Sequence, residues 1–297
     1  MFPRAFQYHR AGSLKEATTM LAQLGDEAKL LAGGQSLIPL MKLRFANPKH
    51  LVDLNFIPGV AYIKEDKNTL RFGALTRHSD IENSVAAARI AVLHDCAAGI
   101  ADVQIRNRGT IGGSLAEADP SGDWAVVLST LETTVRCVGP QGERTIPLSQ
   151  FITDAYTTLL AKDEVVREVI VKLPPPGSGG AYIAFKRAAP VYPTASAAVH
   201  LVMNNDICQE AAISLGCVGL TFTKASEAET ALRGRSVNEK TIQGASEAAR
   251  SAADPQPDMR GSAEYKRTLV AALVRRAIEV ALRRAQGKRC EVSHLYA

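Results

Sequence analysis

The sequence predicts an α+β fold with two domains, of which the first is larger and divided into two subdomains. Short strands alternate with helices over about the first 56 residues, hairpin patterns follow to about residue 176, and a smaller sheet and three helices complete the chain. Residues 174–180, PPPGSGG, are typical of a linker. We therefore expect domains at 1–176, with subdomains at about 1–56 and 57–176, and at 177–297.

Composition and charge limit the classes of function. The chain has 297 residues, 46% of them hydrophobic, and a formal net charge of +5, which suits anionic small molecules and is too weak to indicate nucleic acid. Its five cysteines are scattered without a Cys-x-x-Cys pair, so we expect no metal site and a reducing compartment. With no secretory signal and no run of about 20 apolar residues, we expect a cytoplasmic protein without a membrane span.

The first predicted helix begins at Ser13, whose hydroxyl can cap it, and Glu16 stands three residues later as in a capping box. Apolar residues follow at helical spacing, and Gly25 can end the helix. Residues 28–32 then form a short apolar run that suits a buried strand. The order helix, strand, glycine-rich loop, helix places backbone N–H groups where they can hold an anion.

The glycine-rich loop at residues 32–37 has the sequence AGGQSL. Glycines let a phosphate approach the backbone amides, which a side chain would prevent, and Gln35 or Ser36 can add hydrogen bonds. The loop matches neither the dinucleotide-binding G-x-G-x-x-G pattern nor the P-loop pattern. Taken alone, it is equally compatible with a plain turn between a strand and a helix.

Hairpin and helical patterns alternate in the middle of the chain. Residues 61–63 and 69–73 alternate apolar and polar side chains, as in a hairpin, and residues 86–105 show helical periodicity. His78 lies between them, with no Cys or His at metal-ligand spacing. We therefore favour a structural role for His78 over metal binding or proton transfer.

A second glycine-rich loop, TIGGSL at residues 110–115, follows this helical stretch. We interpret the two loops as backbone clamps on one extended, phosphate-bearing cofactor. Asp119 and Pro120 suit the first positions of a helix that runs to Leu131, with Asp123 in its first turn. A carboxylate here can cap the helix or accept hydrogen bonds from sugar-like hydroxyls, and for Asp119 we favour capping.

Beyond the linker, residues 195–203 and 210–218 are predicted strands, and residues 226–232, 239–252 and 263–285 are predicted helices. Four arginines contribute most of the charge of the last helix. A basic amphipathic helix can bind membranes, nucleic acid or a partner. We favour the simpler interpretation, in which the charged face is solvated and the apolar face is packed.

Both glycine-rich loops and their flanks closely resemble a known family. Residues 32–44 and 106–123, with residues 258–267, are similar to the FAD-binding medium subunit of molybdenum hydroxylases, the carbon monoxide dehydrogenase and xanthine dehydrogenase family. The resemblance covers nearly the whole chain and includes two long motifs in the right order. It implies a two-subdomain FAD-binding domain of the PCMH type, followed by a smaller α+β domain with a sheet and helices.

The resemblance also implies which residues contact FAD. The two loops of the family hold the pyrophosphate and the ribityl chain, and the cofactor-bonding aspartate corresponds to Asp123. The apolar residues near the ring system correspond to Ile100 and Val166, the lysine near the flavin edge to Lys186, and the aromatic residue beside the isoalloxazine to Tyr192. The complete implied set is Leu31, Ala32, Gly33, Gly34, Gln35, Ser36, Leu37, Ile100, Thr110, Ile111, Gly112, Gly113, Ser114, Asp123, Val166, Lys186 and Tyr192.

The function that the resemblance implies is that of the FAD-carrying subunit of an oxidoreductase complex. In such assemblies a large subunit oxidises the substrate at a molybdenum cofactor, and a small subunit carries electrons through [2Fe–2S] clusters. The FAD subunit passes them to an external acceptor such as a quinone, NAD or dioxygen. We assign no catalytic residue, because flavin redox chemistry belongs mainly to the cofactor. Two alternatives stay open: a stand-alone flavin-dependent oxidase or dehydrogenase, and a non-enzymatic nucleotide-binding module.

Overall fold

The structure is a computed structural model that describes residues 2–188 and 190–292 and the backbone of Leu295–Tyr296. Its N-terminal part is a parallel three-stranded sheet in the order β1-β3-β2. The elements of this part are β1 (Gln7–Arg10), α1 (Leu14–Leu24), a short 3₁₀ helix (Gly25–Glu27), β2 (Ala28–Leu31), α2 (Leu37–Leu43) and β3 (His50–Asp53).

Helix α1 begins where its capping residues predict. The hydroxyl of Ser13 accepts a hydrogen bond from the N–H of Glu16 at 3.1 Å, and the carboxylate of Glu16 accepts one from the N–H of Gly12 at 2.7 Å. Gly25 ends the helix with φ of +57°, a conformation that costs glycine little. Ala17 and Leu21 bury the apolar face of the helix in the core beside β3.

The middle of the chain forms an antiparallel five-stranded sheet in the order β4-β5-β10-β6-β7, with short helices packed on it and a small separate hairpin of β8 and β9. Its strands are β4 (Ile63–Asp66), β5 (Thr69–Gly73), β6 (Thr133–Gly139), β7 (Gly142–Pro147), β8 (Ile152–Asp154), β9 (Thr157–Thr158) and β10 (Val165–Lys172). Its helices are α3 (His78–Glu82), α4 (Val85–Ala88), α5 (Ala91–Gly99), α6 (Val103–Arg106), α7 (Ile111–Glu117), α8 (Asp123–Leu128) and α9 (Leu148–Phe151).

Two predicted helices of this region differ from the structure. The helical stretch at 86–105 is divided into α4, α5 and α6, with Ala101 at φ of +42° between the last two. The helix predicted from Asp119 to Leu131 begins at Asp123 and ends at Leu128, with Gly122 as its N-cap. The carboxylate of Asp119 instead accepts a hydrogen bond from the N–H of Ser121 at 2.8 Å, so Asp119 stabilises the turn before the helix.

The C-terminal part is a second five-stranded sheet in the order β14-β13-β12-β11-β15 with three helices. Its elements are β11 (Ser178–Lys186), β12 (Ala195–Asn204), β13 (Ile207–Gly216), β14 (Thr223–Lys224), α10 (Ser226–Leu232), α11 (Glu239–Ala252), α12 (Ala263–Ala285) and β15 (Leu295–Tyr296). The three helices coincide with the predicted ranges, and the α+β class is confirmed. The chain changes from one five-stranded sheet to the other between Lys172 and Ser178; the predicted domain bounds themselves stay predictions.

Helix α12 packs closely on the C-terminal sheet. A Cβ atom on Gly179 of β11 would lie 2.1 Å from the carbonyl oxygen of Ala281, so this approach requires glycine. The arginines of α12 are not all on a solvated face, because Arg284 forms an ion pair at 2.6 Å with Asp95 of α5 and both side chains are largely buried. Among the described residues, no helix is both long and apolar enough to cross a membrane.

Candidate functional site

A cleft of about 280 Å³ lies where the two glycine-rich loops meet α5, α8 and the end of β11. Its walls come from the N-terminal, middle and C-terminal parts of the chain, so folding brings together residues as far apart in sequence as Leu30 and Tyr192. The predicted site residues that line the cleft are Ala32, Gly33, Gly34, Gln35, Ser36, Leu37, Ile100, Thr110, Gly113, Ser114, Asp123, Lys186 and Tyr192.

Four predicted residues do not line this cleft. Leu31 is the last residue of β2, and Ile111 and Gly112 are buried in the first turn of α7. The glycine at 112 is tightly packed, because a Cβ atom there would lie 2.6 Å from the Cβ of Ala74. Val166 lines a neighbouring cleft of about 350 Å³ instead.

The first glycine-rich loop presents free backbone amides. Within the part of the chain that the structure describes, the N–H groups of residues 33–36 donate to no protein acceptor. Gly34 has φ of +76°, and the side chain of Gln35 donates to the carbonyl of Gly33 at 3.2 Å. A run of unpaired N–H groups in a glycine turn suits phosphate oxygens.

The second loop is built differently, and its amides do not support the interpretation of both loops as backbone clamps, which stays a prediction. The N–H of Ile111 donates to the Thr76 carbonyl at 3.1 Å, and the N–H of Gly113 donates to the Thr110 hydroxyl at 3.1 Å. The N–H of Ser114 donates to the Thr110 carbonyl at 3.0 Å. The amides of residues 111–114 therefore bind within the protein, and the loop lines the cleft with Thr110, Gly113 and Ser114, of which the first and last carry hydroxyl groups.

The two loops are in direct contact at glycines. A Cβ atom on Gly33 would lie 2.4 Å from the carbonyl oxygen of Arg108 and 2.8 Å from the Cα of Gly109. A Cβ atom on Gly109 would in turn lie 2.6 Å from Nε2 of His78. The absence of a side chain at Gly33 lets the first loop contact the chain just before the second loop, and the absence of one at Gly109 leaves room for His78.

Two buried charged side chains line the inner wall of the cleft. Asp123, which is 7% exposed, accepts a hydrogen bond from the buried hydroxyl of Tyr182 on β11. Lys186, which is 1% exposed, donates to the carbonyl of Gly99 at the end of α5. Each bond joins the C-terminal sheet to the middle part of the chain, so these contacts fix both groups in position.

Aromatic and charged groups surround the mouth of the cleft. Tyr192 is 43% exposed, and the guanidinium of Arg260 lies 5.9 Å from its ring centroid. Burial and the neighbouring carboxylate of Asp119 raise the pKa of Tyr192. This side chain is therefore a neutral phenol at physiological pH.

The cleft also contains residues that sequence reasoning did not assign to the site. Ala101 and Ile105 follow Ile100 along the chain, and their apolar character was a usable signal. His78 and Asp119 had no comparable signal, because only tertiary structure brings them to the cleft. The unassigned lining residues are Leu30, His78, Ala101, Ile105, Gly109, Glu117, Asp119, Gly122, Pro190 and Val191.

Comparison with known proteins agrees with the geometry. Residues 4–174 match a family model described as the FAD binding domain in molybdopterin dehydrogenase. Residues 180–281 match the CO dehydrogenase flavoprotein C-terminal domain. The chain belongs to the family of FAD-binding medium subunits of molybdenum hydroxylases. The predicted family and the predicted cofactor, FAD, are thereby confirmed, and the chain is an oxidoreductase subunit.

Individual relatives of this medium subunit align over almost their whole length. The carbon monoxide dehydrogenase medium chain of Hydrogenophaga pseudoflava is 39% identical over 95% of this chain and 98% of its own. The 6-hydroxypseudooxynicotine dehydrogenase complex subunit alpha of Paenarthrobacter nicotinovorans is 38% identical over 99% of this chain and 100% of its own. A solved structure of carbon monoxide dehydrogenase from Hydrogenophaga pseudoflava superposes with a TM-score of 0.93 at 40% identity, covering 96% of this chain and 99% of that one.

The structure of the cleft in this medium subunit is itself compatible with FAD, independently of the comparisons. The free amides of residues 33–36 match the oxygens of a pyrophosphate. Ala32 and Gly113 line both the main cleft and its neighbour, so an extended cofactor can pass between the two. Among the described residues, no group of three or more potential ligand side chains could hold a metal ion.

Proposed function

We propose that this medium subunit carries FAD in an electron-transfer role within a molybdenum hydroxylase complex. It accepts electrons from an iron–sulfur subunit and passes them to an external acceptor. The observation that carries the proposal is the glycine-rich loop at residues 33–36, whose unpaired amides open into a cleft that also contains a buried lysine. Consecutive amides without protein partners beside a cleft are available to a phosphate, which would replace the water that otherwise satisfies them.

The shape of the two clefts suggests how FAD lies on the protein. We place the pyrophosphate on the amides of residues 33–36 and the isoalloxazine in the main cleft, among Ile100, Lys186 and Tyr192. The adenine then enters the neighbouring cleft, where Val166 and other apolar residues line the walls. On this orientation Val166 contacts the adenine ring rather than the flavin.

FAD supplies the redox chemistry when it is bound, and the protein binds, orients and tunes it. Asp123, held by the hydroxyl of Tyr182, presents a carboxylate to hydroxyl groups of the cofactor. Lys186 brings a positive charge to the inner wall, which favours negative charge on the bound flavin. The neutral phenol of Tyr192 at the open mouth provides an aromatic surface beside the ring.

The partners follow from the same proposal. The relatives are named as medium chains or complex subunits of dehydrogenases, which implies a large subunit with the molybdenum cofactor and a small subunit with [2Fe–2S] clusters. Among the residues that the structure describes, no group of three or more His, Cys, Asp or Glu side chains is placed to hold a metal, so we assign the clusters to the small subunit. We further propose a cytoplasmic location.

The test is to co-express the chain with its large and small subunits and to measure the flavin absorption of the purified complex. Anaerobic mixing of the chemically reduced iron–sulfur subunit with the FAD-loaded medium subunit should then bleach the flavin bands. Bands that are absent from both the complex and the FAD-treated single chain would reject the FAD site. Flavin that is reduced by a small organic substrate without any partner would favour the stand-alone oxidase.

A further inference from the structure

His78 presents an unpaired buried N–H group to the cleft. It is the first residue of α3, is 5% exposed and lines the main cleft. The Nε1–H of Trp124 lies 3.0 Å from Nδ1 of His78. Because an indole nitrogen can only donate, Nδ1 must be the accepting nitrogen, and the imidazole carries its proton on Nε2.

The imidazole is held in this neutral form. Burial, together with the nearby charges of Arg77 and Arg106, lowers the pKa of His78 to about 3. At physiological pH the ring therefore has one fixed acceptor, which is occupied by Trp124, and one fixed donor at Nε2.

The donor at Nε2 has no acceptor among the described residues. The protein does not fully enclose Nε2, so this nitrogen is accessible from the cleft that His78 lines. A Cβ atom on Gly109 would lie 2.6 Å from Nε2, so a side chain at this position would collide with the ring nitrogen. Water can satisfy this donor in the free protein, and a ligand oxygen at the same point would replace that water.

The position of Nε2 identifies the kind of acceptor. Gly109 touches the first loop at Gly33, and the free amides of residues 33–36 begin there. A ligand oxygen at this junction would belong to the charged and hydroxylated middle of an extended cofactor rather than to either ring. An uncharged N–H donor suits such an oxygen and adds no net charge to the cleft.

We propose that His78 is a further cofactor-binding residue, whose Nε2–H donates to an oxygen of the diphosphate–ribityl segment of FAD, and that Trp124 positions it. This inference depends on the proposed FAD site and deepens it. It assigns to His78 a role that the sequence pattern alone did not favour, and to the indole of Trp124 the task of selecting the tautomer.

A matched pair of substitutions tests the proposal in the assembled complex. His78→Asn keeps an acceptor near the position of Nδ1 for Trp124 but removes the donor in the cleft. His78→Gln keeps a donor near the position of Nε2 and removes the acceptor. We expect H78N to weaken FAD binding about tenfold, as expected for loss of one hydrogen bond to a charged group, and H78Q to retain affinity within about threefold.

Two spectroscopic readouts separate binding from folding. Trp124 is the only tryptophan of the chain, so the emission of the separately purified chain should be native in H78N and shifted in H78Q. The absorption bands of the remaining bound flavin should be unchanged in H78N, because the lost bond is not to the ring. Equal weakening by both substitutions, native affinity in H78N, or shifted flavin bands in H78N would each overturn the proposal. A wild-type complex that binds no FAD would instead overturn the FAD site itself.

Discussion

Gly33 is required by the contact between the two loops, and not by backbone conformation. A side chain at this position would collide with the carbonyl oxygen of Arg108 at 2.4 Å. Backbone cannot move aside as the end of a flexible side chain can, so any Cβ atom would push the loops apart. The amides that follow Gly33 would move with the first loop.

Gly33→Ala is therefore expected to lower the free energy of unfolding by about 1–3 kcal/mol and to weaken FAD binding. Urea unfolding and FAD titration measure the two effects. Gly244 is a matched control, because a Cβ atom there would meet nothing within 4 Å in the exposed middle of α11, and Gly244→Ala should stabilise by up to about 1 kcal/mol. Wild-type stability and affinity in G33A would contradict the loop contact.

Lys186 carries the residue-scale prediction about redox tuning. Its buried ammonium is held by the carbonyl of Gly99 beside the proposed flavin position. Lys186→Met removes this charge, so we expect the midpoint potential of the bound flavin to fall by about 30 mV, which corresponds to about 1.4 kcal/mol for two electrons. Spectroelectrochemical titration measures the potential. Lys172→Met, at an exposed ion pair with Glu132, is the control, and an unchanged potential in K186M would reject the tuning role.

At the scale of elements, β10 organises the middle sheet around a buried carboxylate. Glu168 has a fully buried side chain and pairs with Arg71 of β5 at 2.7 Å and with Arg136 of β6 at 2.8 Å. The hydroxyl of Tyr62 donates to the same carboxylate at 2.6 Å. Burial alone would raise the pKa of Glu168, but these bonds and charges hold it below its ordinary value.

This network gives the fold a predictable dependence on pH. Because the pKa of Glu168 in the folded state lies below the ordinary value of 4.5, its stabilising effect is complete above that pH and is lost as the pH falls through the folded-state pKa. Glu168→Gln should lower the free energy of unfolding by about 3 kcal/mol at pH 7 and flatten its decline below pH 4.5. Urea unfolding from pH 3 to pH 7 tests this, and parallel pH profiles for E168Q and wild type would contradict it.

At the scale of the whole molecule, the cleft depends on bonds between distant parts of the chain. Tyr182 of β11 holds Asp123 of α8, and Arg284 of α12 pairs with Asp95 of α5. A ligand that fills the cleft therefore stabilises the association of the C-terminal sheet with the rest of the protein. Binding and global stability should be linked for this reason.

Saturating FAD is accordingly expected to raise the thermal midpoint of the whole chain. At a ligand concentration 100 times the dissociation constant, the added stability is about 2.7 kcal/mol, or about 4 °C for a chain of this size. Differential scanning calorimetry with and without FAD measures the shift. The FAD-dependent rise in the thermal midpoint should be smaller in the variant G33A. A midpoint that does not change when FAD is added would contradict the linkage.

The sequence by itself determined the family, the α+β class and the short-range structure. The capping of α1 at Ser13 and the bounds of α10, α11 and α12 follow from local caps and apolar periodicity. The loop at residues 32–37 lines the cleft, and its contact with FAD stays a prediction. These features depend on neighbours in sequence, so a sequence pattern contains them.

Tertiary structure alone decided which atoms face the cleft. Ala101 in a left-handed conformation divides a helix that periodicity predicts as continuous, and packing turns the amides of the second loop toward the protein. Val166 lies in the neighbouring cleft, and His78 enters the main one. The physical reason is that burial and hydrogen-bond partners come from residues far along the chain, such as Trp124 for His78, and local patterns contain no information about them.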